Sequence, residues 1–194
     1  MEYHFYFWVQ GRLSPKAGHE TCTKRKEDGS GVEFQIIYPA LPYEIRQCPW
    51  LTHRRIENSI SIELPPNWCN SRWMGLALCA WFNKTYTFQT SRVTFDLIAH
   101  VTALGDMPHS RYTFEISSSV TFNRCHIWLL YLSRDTWFAT VRNGECSQIG
   151  VSFNIDGDGL FVRNCGARLV YEQDVEEFNQ TIAQCESSHT KKKD

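Results

Sequence analysis

Hydrophobic positions along this chain recur mostly with a period of two. In "NSISIELPP", Ile60, Ile62 and Leu64 alternate with Ser59, Ser61 and Glu63. That is the pattern of a strand with one face buried and one in water. The strand ends abruptly at Pro65 and Pro66, because proline cannot donate to a sheet ladder and fixes the exit direction of the chain. Trp68 then stands where its ring can fold over the end of a sheet. "RVTFDLIAHV" puts Val93, Phe95, Leu97 and Ala99 on one face, and "IGVSFNID" does the same with Ile149, Val151, Phe153 and Ile155. "VEFQIIYP" stops at Pro39, and "RYTFEISS" alternates less regularly. Two stretches break the pattern. "WMGLALCAWF" and "HIWLLYLS" are continuously apolar, which suits short strands buried on both faces. "LFVRNCGARLVYE" completes the set, with a bulge or bend expected at Gly166.

Helical periodicity appears once. In "DVEEFNQTIA", Val175, Phe178 and Ile182 share a face. Asp174 and Glu177 have capping-box spacing. Many short strands, one short C-terminal helix and no strand–helix–strand rhythm predict an all-β fold, an antiparallel β-sandwich of jelly-roll or Ig-like type. The compact domain is expected over residues 32–186. Residues 1–31, polar and charged in "KAGHETCTKRKEDGSG", are expected to be an extension or linker, and residues 187–194 a solvated tail.

Composition narrows the function classes. The chain has 194 residues, with 42% hydrophobic and 14% aromatic residues, enough for a core. Net charge is -1, so the basic face that nucleic acids or anionic membranes require is not indicated. No apolar run reaches the length of a membrane span. The start, "MEYHFYFWVQGR", lacks the basic segment and small-residue cleavage site of a signal peptide. A cytoplasmic or nuclear location is expected, with the eight cysteines mostly buried and reduced.

Catalytic and metal signatures are not found. The histidines show no zinc-ligand spacing, and His100 and His126 fall inside apolar strands. "DGDG" at residues 156–159 begins like a calcium loop, but Leu160 and Phe161 stand where an oxygen ligand and a glycine are needed. It reads instead as a hairpin turn. There is no P-loop and no nucleophile elbow. No catalytic residue, cofactor or metal is therefore expected, and binding ranks above catalysis. The binding candidates are aromatic and arginine residues in apparent loops: Trp81, Phe82 and Tyr86 in "AWFNKTYTFQTSR", and Arg134, Trp137 and Arg142 in "SRDTWFATVRNGE". These residue types dominate interface hot spots.

"SISIELPPNWCNSRWMGLALCA", "HIWLLYLSR" and "CGARLVYEQDVEEFN" together resemble the C-JID domain, the C-terminal jelly-roll and Ig-like domain that follows the leucine-rich repeats in plant TIR-type NLR immune receptors. Trp50 and His53 match the W-x-x-H of its opening motif. Pro65, Pro66 and Trp68 match its corner. Trp128, Leu130 and Tyr131 match its central strand, and Gly166 and Tyr171 its closing strand. The opening motif departs from the family, with Ala40 in place of the usual glycine and extra residues before Trp50. The chain also shows no TIR, nucleotide-binding or repeat signature. The resemblance implies a β-sandwich whose loops recognise a pathogen effector, with effector or a receptor's LRR domain as partner. A stand-alone decoy or regulator that pairs with a full receptor, and a carbohydrate-binding jelly roll, are the alternatives.

Overall fold

The computed structural model describes residues 22–26, 33–39, 50–85, 91–105, 111–122, 125–141, 146–177 and 180. Ten strands follow in chain order: β1 (Cys22–Lys26), β2 (Glu33–Pro39), β3 (His53–Arg55), β4 (Ser59–Glu63), β5 (Trp73–Lys84), β6 (Ser91–Leu104), β7 (Arg111–Phe122), β8 (His126–Ser133), β9 (Gln148–Asp156) and β10 (Leu160–Tyr171). A short helix, α1 (Arg134–Thr140), separates β8 from β9, and a 3-10 turn spans Glu172–Asp174. The strands form two sheets, in the orders β1-β2-β8-β5-β10-β3 and β4-β9-β6-β7. Every pairing is antiparallel. The fold is thus the all-β sandwich expected from alternation.

The alternating strands behave as their pattern requires. β4 is buried at Ile60 and Ile62 and exposed between them, and it forms an edge of the four-stranded sheet. Phe95, Leu97 and Ala99 of β6 and Ile149, Val151 and Phe153 of β9 enter the core between the sheets. Leu76, Leu78, Ala80 and Phe82 of β5 and Trp128, Leu130 and Leu132 of β8 meet them from the six-stranded sheet.

The two continuously apolar strands are buried on both sides. Ala77, Cys79 and Trp81 of β5 and Ile127, Leu129 and Tyr131 of β8 point away from the core, yet each is at most 2% exposed. Trp50 and Leu51, just ahead of β3, pack onto this outer face. Gly166 lies across from Cys79, and a Cβ there would stand 2.7 Å from Leu51 Cδ1 and 3.1 Å from the His53 carbonyl oxygen. Arg168 fastens the same region. It donates to the Trp50 carbonyl at 2.7 Å, to Asp174 at 2.7 Å and to Glu177 at 3.0 Å.

Four expectations need correction. β1 falls inside residues 1–31, where a linker was expected. "CTKRK" carries no apolar alternation, and its order comes from pairing along β2, with charged residues suited to a sheet edge. Gly166 is not a bulge. The register slips instead between Val162 and Asn164 and between Val170 and Tyr171, and Gly166 is needed for close approach. "RDTWFAT", taken for a loop, is α1. Ser133 caps it by accepting from the Thr136 N–H at 3.2 Å, the preferred N-cap chemistry. Asp174 stands directly before helical residues 175–177, where the helix was expected to begin, and its carboxylate accepts from the Tyr171 N–H at 2.9 Å while pairing with Arg168.

DGDG is a tight turn, with Leu160 N–H donating to the Gly157 carbonyl at 3.1 Å and Gly159 at φ 70°, but it is not the expected hairpin: β9 pairs with β4 and β6 and β10 with β5 and β3, so the turn carries the chain from one sheet to the other.

Candidate functional site

The residues expected to bind divide between two ends of β5. At the end where β5 begins, the corner after β4 is a run of turns. Trp68 N–H donates to Pro65 O, Asn70 N–H to Asn67 O and Trp73 N–H to Asn70 O. Asn67 takes φ 57°, a conformation asparagine tolerates better than most residues. The corner seats Trp68 in an aromatic cluster with Trp73 and Trp137, all edge-to-face with centroids 4.7 to 6.0 Å apart. Such pairs contribute about 0.5–1.5 kcal/mol each beyond burial. Tyr171 Oη donates to the Trp68 carbonyl at 2.9 Å and ties the corner to β10. Trp68 therefore plugs this end.

Trp137 is completely buried in that cluster and so is not a surface contact residue. Alternation could not show this, because the helix that turns the ring inward begins only at Ser133. Arg134 stays partly exposed. Its Nη1 donates to the Ser71 carbonyl at 3.1 Å, and its guanidinium lies 5.8 Å from the centroid of the half-exposed Phe138.

At the other end of β5, Trp81 and Phe82 are also inside, 2% and 0% exposed. They belong to the strand, not to the loop after it. Trp81 lies on the covered outer face, and Phe82 packs against Phe95 with centroids 5.6 Å apart. Tyr86 and Arg142 lie outside the described residues. Trp81, Phe82 and Trp137 are thus buried in this fold, Phe82 and Trp137 in the core and Trp81 on the covered outer face, and no described surface brings the predicted set together.

A different surface feature occupies this second end. A groove of about 830 Å³ opens between the end of β5, the start of β6 and the β9–β10 turn. Lys84 and Arg92 supply its positive charges, and Asp96, Asp156 and Asp158 its negative ones. Asp96 and Asp156 occupy opposed register positions on β6 and β9. Like charges so placed repel. Arg92 Nε donates to Ser119 Oγ at 2.9 Å. The groove's frame is stiff, since the Gly159 carbonyl accepts from both the N–H and the hydroxyl of Thr85, at 2.6 and 2.5 Å. Gly157 is forced by packing, since a Cβ there would sit 2.7 Å from Phe95 Cβ. The arrangement offers charged and hydrogen-bonding groups of both signs on rigid strand ends. Sequence reading identified the DGDG turn but had no means of bringing it beside "RVTFD".

Cys69, Cys79, Cys125, Cys146 and Cys165 are thiols rather than disulfides. Burial pushes the Cys125, Cys146 and Cys165 thiols up to about 11, so they stay protonated at neutral pH. Among the described residues, no group of three or more His, Cys, Asp or Glu is placed to hold a metal ion. His100 on the outer face of β6 meets Thr113 Oγ1 at 3.1 Å. No described helix is long and apolar enough to cross a membrane.

Comparison with curated proteins finds no match. The sequence model of the C-JID domain matches residues 46–176. That range begins ahead of Trp50 and carries the corner, the central strand and the closing strand on which the resemblance rested, and so the chain belongs to the C-JID domain family.

Proposed function

We propose that this chain is a ligand-recognition module of plant innate immunity, which binds a pathogen effector protein and acts by binding rather than catalysis. C-JID domains are associated with the region that follows the leucine-rich repeats in TIR-type NLR receptors, and that supports the reading. The observation that carries it to a surface is the mixed-charge groove at the β5–β6 and β9–β10 end. Its charges sit on strand ends and a pinned turn, which suits a specific protein contact. Electrostatic matching of this kind sets specificity and on-rate more than raw affinity. A cytoplasmic setting, with an LRR domain as neighbour, is consistent with the five thiols.

The sugar-binding alternative loses its platform. Sugar stacking needs exposed rings, and Trp81 and Trp137 are both buried.

The test is retention of secreted pathogen proteins on the immobilised full chain, with an Asp96→Lys/Asp156→Lys double variant alongside. Retention of an effector by the parent chain and its loss from the variant is the expected result. Equal retention by both would move the contact away from the groove. Co-precipitation with a TIR-type receptor in the absence of any effector would favour the decoy or regulator role.

A further inference from the structure

The outer strands of the two sheets are β1, β3, β4 and β7, and three of them are guarded. β1 carries Lys24, Arg25 and Lys26. β3 is three residues long. β4 is five residues long and stops just ahead of Pro65 and Pro66. Lysine, brevity and proline are the usual means by which a sheet edge avoids pairing with another chain. β7 lacks all three. It is 12 residues long, "RYTFEISSSVTF", without lysine or proline, and it pairs with β6 along its whole length without a register slip. Among the described residues no strand pairs with its other side. Gln35 Nε2 of the opposite sheet donates to the Glu115 carbonyl at 3.4 Å, a long bond to an oxygen that has a second lone pair. The faces of β7 are distinct. Arg111, Thr113, Glu115 and Ser117 are exposed, and Phe114 and Ile116 are buried.

We propose that β7 pairs antiparallel with β7 of a second copy of this chain about a twofold axis, joining the two four-stranded sheets edge to edge. Charge selects the register. Exposed residues must meet exposed residues, or one copy would turn its core side to water, so the axis passes through a residue. An axis at Glu115 sets the two carboxylates directly against each other, which is destabilising. An axis at Ile116 brings Glu115 of the second copy opposite Ser117, whose neighbour on β6 is Asp96, and negative again meets negative. An axis at Ser117 pairs residues 112–122 and brings Glu115 of the second copy opposite Ser119. Arg92 of β6 already leans across to that serine, its Nε donating to Ser119 Oγ at 2.9 Å. Directly opposed side chains have Cβ atoms about 4.5–5.5 Å apart, so the incoming carboxylate comes within reach of the Arg92 guanidinium. The twofold makes this contact twice. Phe114 and Ile116 stay on the core side in both copies.

Analytical ultracentrifugation of the full chain over a concentration series, with amide hydrogen exchange at the two ends of the series, tests this. The expected result is a monomer–dimer equilibrium in which the β7 amides exchange more slowly as the dimer forms. Ser117→Lys sets two ammonium groups against each other across the axis and should weaken the dimer about tenfold or more. Arg92→Glu and Glu115→Lys should each weaken it, and the two together should restore it. Arg92, Glu115 and Ser117 are exposed, so the variants keep the fold and the comparison stays readable. A chain that remains monomeric at every concentration overturns the proposal. So does a dimer that Ser117→Lys leaves intact, or a double charge reversal that is no better than the single ones. Slowing of β7 exchange that appears only when a pathogen protein is bound also overturns it, and would make the edge a site for a foreign strand.

Discussion

Arg168 holds two separate parts of the chain, the Trp50 segment and the Asp174–Glu177 segment, against the outer face of the six-stranded sheet, and its removal has a calculable cost. The residue stands on β10 across from Ala77, a fully buried alanine that leaves room for a long side chain. Arg168→Met keeps most of the aliphatic stem and removes only the donors. The bond to the Trp50 carbonyl is charge-assisted and meets a residue 3% exposed, so its loss costs about 1.5–2 kcal/mol. Asp174 keeps its bond from the Tyr171 N–H, and both partners are 15% exposed, so the ion pair adds about 1 kcal/mol. Glu177, 53% exposed, adds about nothing. The expected loss is about 2–3 kcal/mol, a shift of roughly 1 M in urea midpoint at a slope of about 2 kcal/mol/M. Urea unfolding followed by tryptophan fluorescence measures it, and an unchanged slope keeps the comparison two-state. A double-mutant cycle with Asp174→Asn should return a coupling of about 1 kcal/mol. A loss below about 0.5 kcal/mol would refute the reasoning, because it would mean that Trp50 is held without its arginine donor.

Three further expectations follow from the same geometry. Gly75→Ala should destabilise by about 1–3 kcal/mol, since its Cβ would strike the Leu132 carbonyl and stand 2.8 Å from Tyr131 Oη, which donates to the Met74 carbonyl; Tyr131→Phe in the same background should recover part of the loss in a thermal melt. Trp137→Ala should cost about 3–5 kcal/mol in denaturant titration, whereas Phe138→Ala, 37% exposed, should cost far less; near-equal losses would show that Trp137 is not the buried member. Stability should also fall in alkali. The Cys125, Cys146 and Cys165 thiols rise from 9.0 to about 11 on folding, so the folded state holds its protons longer. That stabilisation is present below about pH 9 and is lost as pH climbs through about 11, with each thiol contributing a slope of about 1.4 kcal/mol per pH unit between those limits. A urea midpoint under reductant that stays flat across that window would contradict the burial of these thiols.

Alternation along the chain determined a great deal by itself. It identified which faces of β4, β6 and β9 are inside, because a strand with one wet face must alternate and a one-residue slip would expose every apolar side chain. It also marked β5 and β8 as buried on both sides, because nothing else makes a short strand continuously apolar. The corner at Pro65–Pro66 and the plug at Trp68 were legible for the same local reasons, and the C-JID motifs lie on these very elements. Period and composition carry no information about what lies on the far side of a face. Only the tertiary structure decided that Trp50, Leu51 and Arg168 cover the outer sheet, that α1 turns Trp137 into the core, and that Trp81 and Phe82 complete a strand instead of opening a loop. An aromatic near a strand end reads the same whether it faces solvent or protein, and burial is settled by contacts distant in sequence. The groove is a product of such contacts as well. Asp96 and Asp156 stand sixty positions apart in the chain, and they face one another only because β6 and β9 pair.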